Sequence, residues 1–138
     1  MSRSGYSDNC DGWELIMYRG AVASAIRGKR GQQFLRDLIT ALDALPQPRL
    51  IESLFEKDGE VCALGSVAKM RGLSLDGLQP VYDDWVDGET IAARFGIAAA
   101  LAREIMFEND NDFISSNETP EERWKRVRAW AIRNIITP

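Results

Sequence analysis

Pro46 and Pro48 close a run in which Phe34, Leu35, Leu38, Leu42 and Leu45 recur at three- and four-residue steps. That period belongs to one face of an α-helix; a strand alternates every second residue. Proline ends the run because it has no N–H and clashes with the preceding turn. An earlier segment has the same character. Asp11-Gly12-Trp13-Glu14 offers an N-cap with a carboxylate three residues on, and a helix to about Ile26 is expected before Gly28-Lys29-Arg30-Gly31 interrupts the pattern. Two helices joined at a basic corner, an αα-hairpin, follow. Gly20, Ser24 and Gly28 stand four apart, which predicts a smooth face packed closely on another helix.

After Leu50 the period changes. Leu50 to Phe55 and Val61 to Leu64 read as two short strands around Asp58-Gly59, the dipeptide favoured in type I′ hairpin turns. Ser66 is the expected cap of a short helix through Met70, stopped by Gly72, with a loop from Leu73 to Pro80. Asp87 is placed to cap a helix over Glu89 to Phe95 that Gly96 ends, and a longer helix runs from Ala98 to about Asn109. Asp110 to Glu118 reads as an acidic loop. Thr119-Pro120-Glu121-Glu122 then combines an N-cap threonine, proline at the first helical position and glutamate at the third, opening a last helix to about Ile136. The expectation is a mainly α (α+β) fold: a compact helical domain of five or six helices with one small β-hairpin near residues 50–64. Residues 1–10 form a flexible N-terminal arm and 11–138 a single globular domain.

The 138 residues include no histidine. This removes Ser-His-Asp and Cys-His nucleophile pairs, the imidazole base and the usual pH switch. Cys10 and Cys62 are too few for a four-ligand zinc site, and two thiols 52 positions apart read as reduced residues of a cytosolic protein. Residues 1–8 lack the apolar run of a signal peptide, and the longest apolar run, Ile97 to Ala102, is far short of the roughly 20 residues that span a membrane. A soluble, cytoplasmic, non-enzymatic chain with no cofactor and no metal is the expectation.

The net charge of -4 conceals an uneven order: +2 over residues 1–50, -11 over 51–122 and +5 over 123–138. Two basic clusters are candidate partner- or phosphate-binding sites. Arg27, Lys29 and Arg30, with Arg36 further along, surround the start of the second helix, where free N–H groups and the helix dipole favour an anion. In the last helix, Arg123, Arg126, Trp130 and Arg133 share one face, opposite an expected core stripe of Trp124, Val127, Ala131 and Ile135. Two readings of that face stand side by side. Exposed tryptophan beside arginine anchors a protein partner or stacks on bases; alternatively, Trp130 is partly buried and the arginines neutralise the chain's own acidic middle.

Residues 90–105, Thr90 to Ile105, resemble the helix-turn-helix of bacterial regulators, with Ala92 and Ile97 spaced around the turn residue Gly96. Where such proteins carry polar base readers this chain has Ala98, Ala99 and Ala100, leaving Arg103 as the reader, and the acidic surroundings repel duplex DNA. The carboxylates Asp83, Asp84, Asp87 and Glu89 flank Trp85. Glu104, Glu108, Asp110 and Asp112 form a second group, in which Glu104, Glu108 and Asp112 are spaced to offer oxygen ligands to a hard cation. An EF-hand begun at Glu108 fails, with Phe113 in the glycine position and Thr119 in that of the last glutamate.

Across most of its length the chain resembles a widespread family of small proteins, without assigned activity, encoded in bacterial prophages and phages. The resembling stretches are Ser4 to Asp8, Arg19 to Gln32, Gly59 to Gly65, Ala102 to Ile105 with Glu108-Asn109-Asp110, and Thr119 to Trp124. The resemblance implies a bacterial or phage setting and brings no catalytic or binding residues. Together these readings lead to a small interaction protein that binds a host or phage protein, as an inhibitor or defence-evasion factor, with a nucleic-acid-binding regulator as the alternative.

Overall fold

A computed structural model describes residues 12–75, 78, 88–110 and 117–136, the first four by their backbone. Among them are α1 (Gly12–Arg27), α2 (Lys29–Asp43), β1 (Glu56–Lys57), β2 (Glu60–Val61), α3 (Ala63–Arg71), α4 (Gly88–Phe95), α5 (Ala99–Asp110) and α6 (Pro120–Arg133). The fold is mainly α with one small hairpin, as the periodicity indicates. The expected arm at 1–10, Asp11, Cys10, Trp85 and the carboxylates Asp83, Asp84, Asp87 and Asp112 lie outside the described residues. No described helix is long and apolar enough to cross a membrane.

The packing has two axes. Helices α2 and α5 each lie against α1, α3 and α6, while α4 folds back on α5. Phe34, Leu35, Leu38 and Leu42 of α2 are fully buried with Leu64, Ile91, Leu101, Ile105, Met106 and Val127. Each such side chain is worth about 1.5–3 kcal/mol over leaving it in water. The rings of Phe34 and Phe95 meet edge to face at 6.0 Å, tying α4 to α2.

The helix ends obey the local chemistry. Thr119 Oγ1 accepts from the Glu122 N–H and the Glu122 carboxylate from the Thr119 N–H, a complete capping box with Pro120 behind it. Gly96, at φ 70°, lets the Ile97 N–H reach Ala92 O and its own N–H reach Ala93 O, so that α4 stops in a Schellman turn.

Three local expectations need correction. The strands are two residues each, paired Glu56 to Val61 and Lys57 to Glu60, around Asp58 and Gly59, both at positive φ as a type I′ turn requires. Residues 50 and 51 are irregular and 52–55 form bends; the Ile51 N–H still reaches Val61 O, but Leu50 N–H bonds to Pro120 O, Ser53 N–H to Asp110 Oδ1, and Ile51 O accepts from Asn109 Nδ2. Second, α3 starts at Ala63 and is capped by Cys62, whose Sγ accepts from Gly65 N–H; Ser66 sits inside the helix and donates to Ala63 O. Third, the smooth face of α1 is not packed. A Cβ on Gly20 would meet nothing within 4 Å, and Ser24 and Gly28 are exposed. Close approach occurs instead at Gly31, against Ala25.

Two buried amides knit distant segments. Gln32 on α2 donates to Ile26 O at 2.8 Å and to Asn134 O at 2.9 Å, and accepts from Ile136 N–H at 2.8 Å. Asn109, wholly buried at the end of α5, accepts from Ala63 N–H and donates to Ile51 O and Asp110 Oδ1.

Candidate functional site

The two basic clusters separate sharply in the folded chain. On α6, Arg123 is 5% exposed, donates to Leu50 O at 3.0 Å and to Glu52 Oε2 at 3.5 Å, and has its Nε 3.5 Å from Glu118. Arg126 takes both oxygens of Glu118, at 2.7 and 2.9 Å, and donates to the carbonyls of Glu108 and Asn109 at the C-terminus of α5. A guanidinium fork suits both tasks, and cations are favoured at a helix C-terminus. Hydrogen bonding to Arg126 holds the Glu118 carboxyl below the usual range, against the opposing effect of burial. Trp130 is 6% exposed and lies in the core.

Arg123, Arg126 and Trp130 therefore present no open partner face, and the expectation of an exposed tryptophan beside arginines is corrected. Val127 and Ala131 of the expected core stripe of α6 are buried, Trp124 and Ile135 are half-buried against the core, and Arg123 and Trp130 join the buried face. Trp124 is half-buried, donates its indole N–H to Leu42 O and has Arg128 stacked 5.8 Å over its ring. Arg133 is exposed, close enough to Glu108 to favour that residue's ionised form.

The α1–α2 corner is the reverse case. Arg27, Lys29, Arg30 and Arg36 are exposed, as is Arg19, which sequence reasoning did not single out. None of the five has an ion-pair partner among the described residues, and no acidic residue occurs from Leu15 to Arg36. Gly28 caps α2 through its extended backbone, without a side-chain bond to the first turn. A shallow depression of about 630 Å³ opens here, bordered by Ser24, Gly28, Lys29 and Arg30 on one side and by Ala98 and Ala100 at the start of α5 on the other. Beyond it, Ile16 and Met17 of α1 are 64% and 59% exposed.

That geometry also bears on the helix-turn-helix resemblance. The α4–α5 corner has the expected glycine turn, with Ile97 buried beneath it. Ala98, Ala99 and Ala100 are half-buried, and α1 packs against α5. The start of α5 is thus flanked by another helix and does not stand out as a free reading edge.

Glu104 and Glu108 lie one turn apart on α5. Burial, and then the neighbouring Glu104 carboxylate, raise Glu108 above the ordinary range, while Arg126, 3.6 Å away, and Arg133 oppose the shift. Asp110 is buried and accepts from Ser53 and Asn109. Among the described residues no three cysteines or carboxylates gather as a metal site. Comparisons with protein-family models, curated proteins and solved structures find no match.

Proposed function

We propose that this chain is a small, non-enzymatic interaction protein of phage or prophage type that binds an acidic surface of a host or phage protein through the α1–α2 corner. One observation carries the reading: Arg27, Lys29, Arg30 and Arg36 are exposed without an ion-pair partner among the described residues, whereas Arg123 and Arg126 are engaged inside the fold. An unpaired cluster of one sign steers association and selects a partner of opposite sign. Exposed Ile16 and Met17 nearby supply the apolar area that a protein interface uses and a phosphate backbone does not. Inhibition of a host factor and evasion of host defence are the roles such a binder fits.

The test is capture from a bacterial host lysate by the chain and by its Arg27→Glu/Lys29→Glu/Arg30→Glu variant. A partner with an acidic binding surface, recovered by the parent and lost by the variant, is expected; equal recovery by both excludes the corner.

Nucleic-acid binding is the second reading, favoured by the convergence of two helix starts and the same cations on one depression. It requires duplex affinity that falls steeply with salt. Absence of duplex binding at low salt ends it.

A further inference from the structure

We infer that the outward ridge of α1 is a seat for an antiparallel helix with an acidic first turn, an inference that rests on the acidic-partner reading above and gives that partner a shape. Ile16, Met17, Gly20, Ser24 and Arg27 follow one another at steps of one, three, four and three residues, so they form one stripe along the helix. All five are exposed, and the opposite side of α1 turns Val22 and Ile26 to the core. At 1.5 Å per residue the stripe is about 17 Å long, a little over three turns.

Its chemistry is graded along that length. Ile16 and Met17 make one end apolar. The centre is low, since Gly20 has no side chain and open space above it, and Ser24 is small. Arg27, Lys29 and Arg30 make the other end cationic, with no carboxylate on α1 or α2 from Leu15 to Arg36 to offset them. A low centre between an apolar end and a charged end admits a second helix axis at close range.

Charge complementarity and the helix dipole together set the direction of the occupant. An acidic residue is most favourable in a helix's own first turn. A partner whose first turn lies over Lys29 and Arg30 runs antiparallel to α1, so the two dipoles also oppose. Its later turns then place apolar side chains over Ile16 and Met17, and small residues cross Gly20 and Ser24. A surface phosphate backbone has use for the cations alone.

The probe is a display library of amphipathic helices of about 18 residues, five turns, randomised outside the apolar stripe and panned against the full chain. Enriched peptides are expected to carry Asp or Glu in the first turn and apolar residues in the last two turns. No enrichment, or enrichment without an acidic first turn, overturns the inference. The selected peptide is then measured by fluorescence anisotropy against Gly20→Leu, Ser24→Leu and the Arg27→Glu/Lys29→Glu/Arg30→Glu variant, with thermal melts confirming that each folds. Each change is expected to weaken binding about tenfold or more, as at a central hot spot. If charge reversal weakens binding and neither leucine does, the helix seat falls while the acidic-partner reading stands. If charge reversal has no effect, both fall.

Discussion

Gly31 lies so close to Ala25 that a Cβ on it would stand 1.9 Å from the Ala25 carbonyl oxygen and 2.9 Å from the carbonyl carbon. The contact is backbone to backbone, so no side chain can swing aside. Gly31→Ala is expected to cost about 3 kcal/mol or more by forcing α1 and α2 apart. Gly20→Ala should have the opposite sign, gaining about 0.5–1 kcal/mol from helix propensity in open space. Urea midpoints of the two variants check the pair, and a loss at Gly20 would contradict the exposed face of α1.

The division between the engaged arginines of α6 and the corner cations, which have no ion-pair partner among the described residues, gives a second expectation. Arg123→Gln and Arg126→Gln should each lower stability by about 1–3 kcal/mol, the worth of charged hydrogen bonds removed from partly or wholly buried partners. Arg27→Gln, Lys29→Gln and Arg30→Gln should each stay within about 0.5 kcal/mol of the parent. Chemical denaturation of the five single variants reads the difference, and equal losses in both groups would refute it.

The two carboxyls beside Arg126 respond to pH with opposite sign. Glu118 is held below its ordinary value of 4.5, so its stabilisation is present above that value and is lost as pH falls through the lower folded one. Glu108 is held above 4.5, so the folded state binds its proton more tightly and stability declines as pH rises from 4.5 through the raised value. Glu108→Gln should therefore raise stability near neutral pH, whereas Glu118→Gln should lower it there and matter little in acid. Denaturation midpoints measured at about pH 3 and about pH 7 separate the two, across the carboxylate range.

Gln32 bonds the end of α1 and the residues after α6 at once. Gln32→Leu preserves bulk but leaves two carbonyls and the Ile136 N–H without their partner, a loss of about 2–4 kcal/mol. Amide exchange at Ile136 should accelerate more than the global change in stability explains. Exchange that merely follows global unfolding would show that the amide does not tie down this segment.

What the sequence made legible follows from the range of the interactions. Helix ends written in local chemistry, Thr119 to Glu122 and Gly96, appear where expected, because caps and left-handed glycines act within one turn. The hairpin shrank and α3 began early because Leu50 N–H, Ile51 O and Ser53 N–H are met from across the chain, and a cysteine is a weak, unadvertised cap. Arg123 reads as surface for its charge, yet Leu50 O and Glu52 make its burial possible, and that widens the buried face of α6 beyond Val127 and Ala131. Asn109 and Gln32 have no spacing signal at all. At the candidate site, the cations of the corner were legible as a local cluster; that the C-terminal ones are engaged was not, since their partners depend on tertiary structure.

The bond between Gln32 and Asn134 spans 102 positions, and α2 lies against α6 along the same seam. A bundle closed by such remote contacts cannot complete its interior piece by piece during synthesis. The side of α2 that meets α6, at Gln32 and Leu42, must wait until Trp124 and residues 134–136 have left the ribosome. Its folding rate should accordingly lie below that of helical domains of equal size built from neighbouring contacts.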